Sequence, residues 1–257
     1  MTLPPPPSGG RSRPNESPIR RIAMWSGPRN ISTAMMRAWE NRPDTMVVDE
    51  PFYAVYLERT GKQHRGAAEV LEHGETDWKR VVRALTGGSA KVPIFYQKQM
   101  THHLLPEIDR GWLGGVTNCF LIRDPREVII SYVKKSPEPT LEDLGFVQQA
   151  EIFEFTQRLT GATPPVVDAR DVLENPEKTL RLLCHALEIE FDSAMLKWPA
   201  GPRDSDGIWA KYWYDAVTQT TSFQAPHEVT GELPQRLLGV YEVCRDCYEQ
   251  LYQFRLR

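Results

Sequence analysis

The chain has 257 residues, of which 40% are hydrophobic and 25% are charged, the proportions of a soluble globular protein. Its formal net charge of −3 leaves no basic excess, so nucleic acid is not an expected partner. No apolar run approaches the length of a transmembrane helix, and the N-terminus lacks the apolar core of a signal peptide. These features predict a cytoplasmic protein and leave its oligomeric state open.

The N-terminal tail and the cysteines are not expected to carry chemistry. Residues 1–18 are rich in Pro, Ser, Gly and Arg, so we expect a disordered tail, followed by a single domain at 19–257. Cys244 and Cys247 have the C-x-x-C spacing of some zinc and redox sites. A second ligand pair is missing and the segment has a helical pattern, so packing is the favoured role and no metal is expected.

Short apolar segments alternate with helical ones along the rest of the chain. The helical patterns include a long amphipathic stretch at 140–159 and a closing one at 234–254. Residues 198–230 are rich in Trp, Tyr, Gly and Pro and are expected to form an ordered loop region. The alternation predicts a three-layer α/β/α fold around a central, mainly parallel sheet. Its strands are expected near 21–25, 45–49, 93–97, 117–122 and 166–168.

The turn after the first strand is the first candidate site. It leads from Gly27-Pro28 into a helical pattern, where the first amides of a helix lack partners. Positive charge and polar side chains in such a turn predict a site for an oxyanion. The usual G-x-x-x-x-G-K-[ST] nucleotide loop is absent, and an ordinary capped turn stays open as an alternative. The residues concerned are Arg29, Asn30, Ile31, Ser32 and Thr33.

Charged residues also follow the next two strands. Asp49 and Glu50 come after the second strand, and Lys98, His102 and His103 come after the third. Since the C-terminal ends of parallel strands meet where open sheets bind ligands, these side chains are candidates for catalysis. An imidazole titrates near neutral pH and suits the deprotonation of a hydroxyl. The alternatives are a solvated acidic pair and structural histidines.

A second candidate anion site follows the fourth strand. Arg123 ends that strand, Asp124 is placed to cap the following helix, and Pro125 fits its first turn. Ser131 lies two helical turns further on. The alternative is a capped helix with an Arg–Asp surface pair.

Taken together, these segments resemble the sulfotransferases that use 3′-phosphoadenosine 5′-phosphosulfate. Residues 28–33 match the P-[KR]-S-G-T-T-like loop of that family, with Arg for Lys. Arg123 and Ser131 match its second motif, which has an acidic residue and Val between Arg and Ser. Residues 98–106 are similar to its K-T-H-L-P segment, and residues 171–176 to E-D-L-x-x-x-P.

The resemblance implies a P-loop NTPase-like sulfotransferase fold in a divergent, bacterial-type member. Ile31 replaces the loop Gly, and no late G-x-x-G-x-x-K segment is found. By this resemblance the loop holds the 5′-phosphosulfate, whereas Arg123 and Ser131 bind the 3′-phosphate. The expected reaction is sulfuryl transfer to a hydroxyl or amine of an unidentified small molecule, without a metal.

The resemblance also suggests catalytic roles. Lys98 is expected to reach the transferring group, and His102 or His103 to take the proton of the acceptor. Glu50 is the rival base, ranked second because a carboxylate needs a raised pKa to serve equally well. Two other functions stay open: a P-loop kinase or nucleotide hydrolase, and a non-catalytic nucleotide-binding protein of the same fold.

Overall fold

The structure is a computed structural model that describes residues 19–87, 92–226 and 229–257; the tail predicted at 1–18 lies outside these residues. The described strands lie close to their predicted positions, because each contains a short run of β-branched, aromatic or other apolar residues. They are β1 Arg20–Ser26, β2 Thr45–Asp49, β3 Ile94–Met100, β4 Thr117–Ile122 and β5 Val166–Asp168.

The strands form one sheet in the order β2-β3-β1-β4-β5, and every neighbouring pair is parallel. β1 lies at its centre. The chain builds one side of the sheet with β2 and β3, then crosses over β1 to add β4 and β5. The predicted α/β fold with a central parallel sheet is confirmed.

Helices cover the connections between the strands. Side-chain caps and N-terminal prolines define several of their starts, as at α5, where Asp124 accepts from the Arg126 amide, and at α9, where Asn175 accepts from the Lys178 amide. The helices are α1 Ser32–Glu40, α2 Tyr53–Thr60, α3 Ala67–His73, α4 Trp78–Thr86, α5 Pro125–Val133, α6 Leu141–Leu144, α7 Phe146–Thr160, α8 Ala169–Glu174, α9 Pro176–Ala186, α10 Ala210–Trp213, α11 Asp215–Thr218 and α12 Leu238–Tyr252.

The two faces of the sheet belong to two apolar clusters. Ile22 and Met24 of β1 belong to the first, together with residues of α1, α8 and α9. Ala23 and Trp25 belong to the second, with residues of α2, α4, α7 and α12. This alternation follows from the two-residue period of a strand, and it makes the domain three layers thick.

Two elements differ from the predicted pattern. β3 continues to Met100 and pairs with β1 along its whole length, so Lys98 lies inside the strand instead of beyond it. The long helix predicted at 140–159 is divided into α6 and α7 by Gly145, whose φ of +72° is left-handed. Among the described residues, no helix is long and apolar enough to cross a membrane.

Candidate active site

The candidate site lies at the C-terminal edge of the sheet. The chain reverses its direction of sheet growth at β1, and ligands of open α/β sheets bind beyond the strand ends at such a point. A cavity of about 750 Å³ occupies this edge. Its lining includes every sequence-predicted site residue: Arg29, Asn30, Ile31, Ser32, Thr33, Glu50, Lys98, His102, His103, Arg123 and Ser131.

The turn between β1 and α1 is held by its own side chains. Asn30 donates to the carbonyl of Leu121 at the end of β4, and its Oδ1 accepts from the Ile31 amide. Gly27 passes so close to α6 that an added Cβ would lie 2.8 Å from the Leu144 carbonyl oxygen. The N-terminus of α1 has no side-chain cap, so the first amides of this helix are available to a ligand.

Arg29 has a φ of 55°, a left-handed conformation that costs a non-glycine residue of order 1 kcal/mol. Its Nε donates to Ser131 Oγ at 3.0 Å. Burial, and next the nearby Arg123 guanidinium, lower the pKa of Arg29. Arg29 of the loop after β1 and Ser131 of α5 are therefore in direct contact.

The Arg123 side chain is held from both ends. Its NH1 donates to the Arg29 carbonyl oxygen at 3.0 Å, and its Nε donates to Glu127 Oε2, also at 3.0 Å. The other oxygen of Glu127 accepts from Arg170 at 2.8 Å. Arg123 thus joins the loop after β1 to the helix after β4, and two guanidinium groups lie at one edge of the cavity. Such an arrangement suits a ligand with more than one anionic group.

A buried ionic cluster forms the other side of the cavity. Lys98 Nζ donates to Asp49 Oδ1 at 2.8 Å, Glu50 Oε1 at 2.5 Å and Tyr214 OH at 2.6 Å. Tyr214 in turn donates to Asp49 Oδ2 at 2.7 Å. The three ammonium protons of Lys98 are used within the cluster.

Glu50 is the member of this cluster with an oxygen left over. Among the described residues, no hydrogen-bond donor is recorded for its Oε2, which lies 4.0 Å from His103 Nδ1. Burial raises the pKa of Glu50, while the Lys98 charge opposes that rise. Its φ of 40° is the second left-handed non-glycine conformation in the cavity lining. Strain of this kind is frequent at functional sites.

The two histidines are buried among aromatic rings. His103 stacks on Tyr53 at 4.8 Å and on Tyr56 at 4.7 Å between ring centroids. Burial lowers the pKa of His102 to about 3 and that of His103 well below its ordinary value, with the His102 charge as the next cause for His103. Both Nδ1 atoms lack a hydrogen-bond partner in the described part of the chain. Burial thus shifts both imidazoles away from titration near neutral pH, and the assignment of either as the base stays a prediction.

Sequence reasoning missed Tyr214 and the role of Asp49. Tyr214 belongs to the ordered loop region predicted at 198–230, to which the sequence assigns no role. This segment is also tied to the domain by Asp206, whose carboxylate lies 2.7 Å from Arg37 NH2, and by the Gly207 amide, which donates to Asp49. The one sequence signal for this residue is its place in an aromatic-rich segment, and no local pattern distinguishes Tyr214 from the other aromatic residues there.

The comparisons with known proteins agree with this fold. A family model described as "Sulfotransferase domain" matches residues 20–239. Three solved structures align with a TM-score of 0.52 each: the sulfotransferase domains of the curacin biosynthetic pathway and of the Synechococcus PCC 7002 olefin synthase, and a sulfotransferase from Alicyclobacillus acidocaldarius. They are 14%, 14% and 10% identical, cover 94%, 92% and 92% of this chain, and are themselves covered to 100%, 98% and 97%. At such identities the likeness establishes the fold alone.

Two curated relatives from Arabidopsis thaliana are more similar in sequence. They are named branched-chain-amino-acid aminotransferase-like proteins 1 and 2, and are 35% and 33% identical over 87% and 90% of this chain. The chain spans 41% of the length of each, so their names describe longer proteins. Because the family model covers most of the residues that build the sheet and the cavity, the chain belongs to the sulfotransferase domain family.

Proposed function

We propose that the protein transfers a sulfuryl group from 3′-phosphoadenosine 5′-phosphosulfate to a hydroxyl, or an amine, of a small-molecule acceptor. One observation carries this proposal. Two segments suited to anions are joined by the Arg29–Ser131 hydrogen bond at one side of a cavity whose other side holds the Glu50 carboxylate. The negatively charged sulfuryl donor needs the anion-binding side, and an acceptor that must lose a proton needs the carboxylate side.

The residues around the loop fit the anionic parts of the donor. The uncapped N-terminus of α1, with Arg29, Ser32 and Thr33, would hold the 5′-phosphosulfate. Arg123 and Ser131 would hold the 3′-phosphate, with Arg123 oriented by Glu127. The contact between Arg29 and Ser131 would then give way to contacts with the two phosphates.

An apolar end of the same cavity fits the adenine. Ile31, Leu173 and Phe223 belong to one hydrophobic cluster and also line the cavity beside the loop. Phe223 packs edge-on against Trp198, with 5.1 Å between ring centroids. A flat base against such a surface gains from apolar burial.

The proposed reaction is a displacement at the sulfur atom of the donor. The acceptor oxygen forms a bond to sulfur while the bond from sulfur to the 5′-phosphate oxygen breaks, and that oxygen keeps the electron pair. Arg29 and the amides of α1 stabilise the charge that develops there. The acceptor proton passes to a base on the opposite side. No metal takes part in this scheme.

Glu50 is the base that we propose, ahead of the two histidines. Burial makes an imidazole harder to protonate and a carboxylate easier to protonate. The pKa of Glu50 is therefore shifted toward neutrality, while those of His102 and His103 are shifted away from it. Lys98 holds Oε1 and leaves Oε2 for the acceptor. In this role Lys98 positions the base and does not contact the transferring group.

The decisive experiment combines binding with turnover. Calorimetry should show that 3′-phosphoadenosine 5′-phosphate binds and that ATP with magnesium binds far more weakly. Incubation with ³⁵S-labelled donor should release label to water or transfer it to a simple hydroxyl acceptor such as 2-naphthol. Preferential binding of ATP with magnesium would favour a kinase or nucleotide hydrolase. Tight binding of the bisphosphate with no transfer to any acceptor or to water would favour a binding protein.

A further inference from the structure

The cavity extends past the ionic cluster to a wall of aromatic rings. Tyr53 OH lies 2.9 Å from His64 Nδ1, and Trp209 meets the Tyr53 ring edge-on at 5.1 Å between centroids. Trp213 lies 6.5 Å from the His64 ring, and all four side chains line the cavity. Burial, and next the charge of Lys62, lower the pKa of His64, which favours the neutral form of the ring. A wall of aromatic rings favours a planar or apolar body.

Three cations line the same cavity as this wall. Arg65, Lys134 and Lys135 line the cavity and are exposed. In the parts of the chain that the structure describes, no carboxylate lies within ion-pairing distance of any of them, whereas nearby Lys211 lies 2.6 Å from Glu69. Lys135 Nζ lies 5.4 Å from the centroid of the Trp213 ring. In the described residues these three cations are therefore not ion-paired, and Lys135 adjoins the aromatic wall.

The rest of the cavity does not neutralise this charge. Glu50 is the single carboxylate among the described lining residues, and it is already paired with Lys98 at the inner end. Under the proposed function, Arg29 and Arg123 are taken by the phosphates of the donor. Arg65, Lys134 and Lys135, which we call the rim cations, then face the ligand that lies along the aromatic wall. A negative charge on that ligand would strengthen binding and speed association.

We propose that the acceptor is a planar molecule that carries an anionic group in addition to its reacting hydroxyl. Its body packs against Tyr53, Trp209 and Trp213, and its anionic group lies among the rim cations. The hydroxyl then points inward to Glu50. This inference rests on the proposed function for the identity of the reacting group, but the selectivity for an anionic ligand is tested by binding alone.

Calorimetry with two matched probes tests the inference. 6-Hydroxy-2-naphthoate and 2-naphthol share one ring system and one hydroxyl and differ by a carboxylate. The protein, saturated with 3′-phosphoadenosine 5′-phosphate, should bind the naphthoate about tenfold more tightly, because several exposed charge pairs each contribute a few-fold. The preference should shrink as salt is added. The triple variant Arg65→Ala/Lys134→Ala/Lys135→Ala should lose the preference, whereas Lys211→Ala should keep it.

Other results would overturn the inference. Equal affinity for the two probes, or binding of neither, would remove the evidence for an anionic acceptor. Weaker binding of 3′-phosphoadenosine 5′-phosphate by the triple variant would assign the rim cations to the nucleotide instead. Failure of the unmodified protein to bind that nucleotide would count against the proposed function. The probe titration repeated without nucleotide would still report on the aromatic wall and its rim.

Discussion

Lys98 Nζ lies 2.5 Å from Glu50 Oε1, and this contact joins the middle of a central strand to the floor of the cavity. The Lys98 side chain is 1% exposed and that of Glu50 is 12% exposed. Since Asp49 and Tyr214 take the remaining protons of Lys98, the ammonium acts as a fixed support for one oxygen of Glu50. The other oxygen is turned toward His103, within the cavity.

Replacing Glu50, the proposed base, should separate turnover from nucleotide binding. Glu50→Gln should lower turnover by about 10²- to 10⁴-fold, the usual contribution of a general base, and leave affinity for 3′-phosphoadenosine 5′-phosphate almost unchanged. Because burial raises the pKa of Glu50, the rate of the unmodified protein should rise with pH above about 4.3, the ordinary value for Glu, as the carboxylate ionises. His102→Ala and His103→Ala should lose less. Near-normal turnover in Glu50→Gln, with loss in either His variant, would make an imidazole the base.

The Tyr214 hydroxyl should support the ionic cluster. Tyr214→Phe removes a donor to Asp49 and an acceptor of Lys98 in a buried place, so it should lower the free energy of unfolding by about 1–3 kcal/mol. Chemical denaturation measures this loss. Tyr212→Phe is the matched control, because its hydroxyl donates to Glu69 on a partly exposed surface and its loss should cost less than the loss at Tyr214. Equal effects would mean that the cluster does not depend on Tyr214.

Arg123 should read the 3′-phosphate of the donor. Arg123→Ala should weaken 3′-phosphoadenosine 5′-phosphate far more than adenosine 5′-phosphosulfate, which lacks that phosphate, and calorimetry compares the two. Arg170→Ala is the control, since Arg170 binds the same carboxylate of Glu127 but does not line the cavity. Equal losses for both nucleotides in Arg123→Ala would assign Arg123 to the 5′ side or to structure.

Gly27 should be needed for the shape of the turn. Gly27→Ala would place a Cβ 2.8 Å from the Leu144 carbonyl oxygen, so the turn must shift, at a cost of about 1–3 kcal/mol and with weaker nucleotide binding. Gly239→Ala, in α12, adds a Cβ with no heavy atom within 4 Å and should be neutral or slightly stabilising. Thermal unfolding and calorimetry measure both variants. Normal nucleotide affinity in Gly27→Ala would show that nucleotide binding does not depend on the shape of this turn.

Acid should destabilise the protein through its buried histidines. Their folded-state pKa values lie below the ordinary value of about 6.5, so between the two values the unfolded chain binds more protons and stability falls as pH falls. Lowering the pH from about 7.5 to 5.5 should remove about 1 kcal/mol for each imidazole. Denaturation of the unmodified protein and of His102→Gln and His103→Gln at both pH values checks this. An unchanged pH dependence in both variants would show that other groups control it.

The amino-acid sequence by itself was enough to locate the strands and the two segments, after β1 and β4, that we predict to bind anions. These features depend on short-range rules: apolar runs form strands, Asp124 and Pro125 start a helix, and Gly27-Pro28 ends a strand. The central parallel sheet followed from the alternation of strands and helices. Because parallel strands present their C-terminal ends at one edge of the sheet, the sequence also predicts that Arg29 and Arg123 lie at the same edge.

The tertiary structure decided what the charged residues do. The sequence predicts Lys98 beyond the end of β3, because the polar run from Gln97 to Gln99 does not resemble a buried strand end. The Lys98 charge is stabilised by Asp49 and Glu50, nearly fifty residues earlier, and by Tyr214, more than a hundred residues later. Burial of His103 against the rings of α2 likewise lowers the pKa of an imidazole that the sequence alone predicts to titrate near neutral pH. Burial and pairing depend on contacts between distant segments, and local sequence patterns do not contain them.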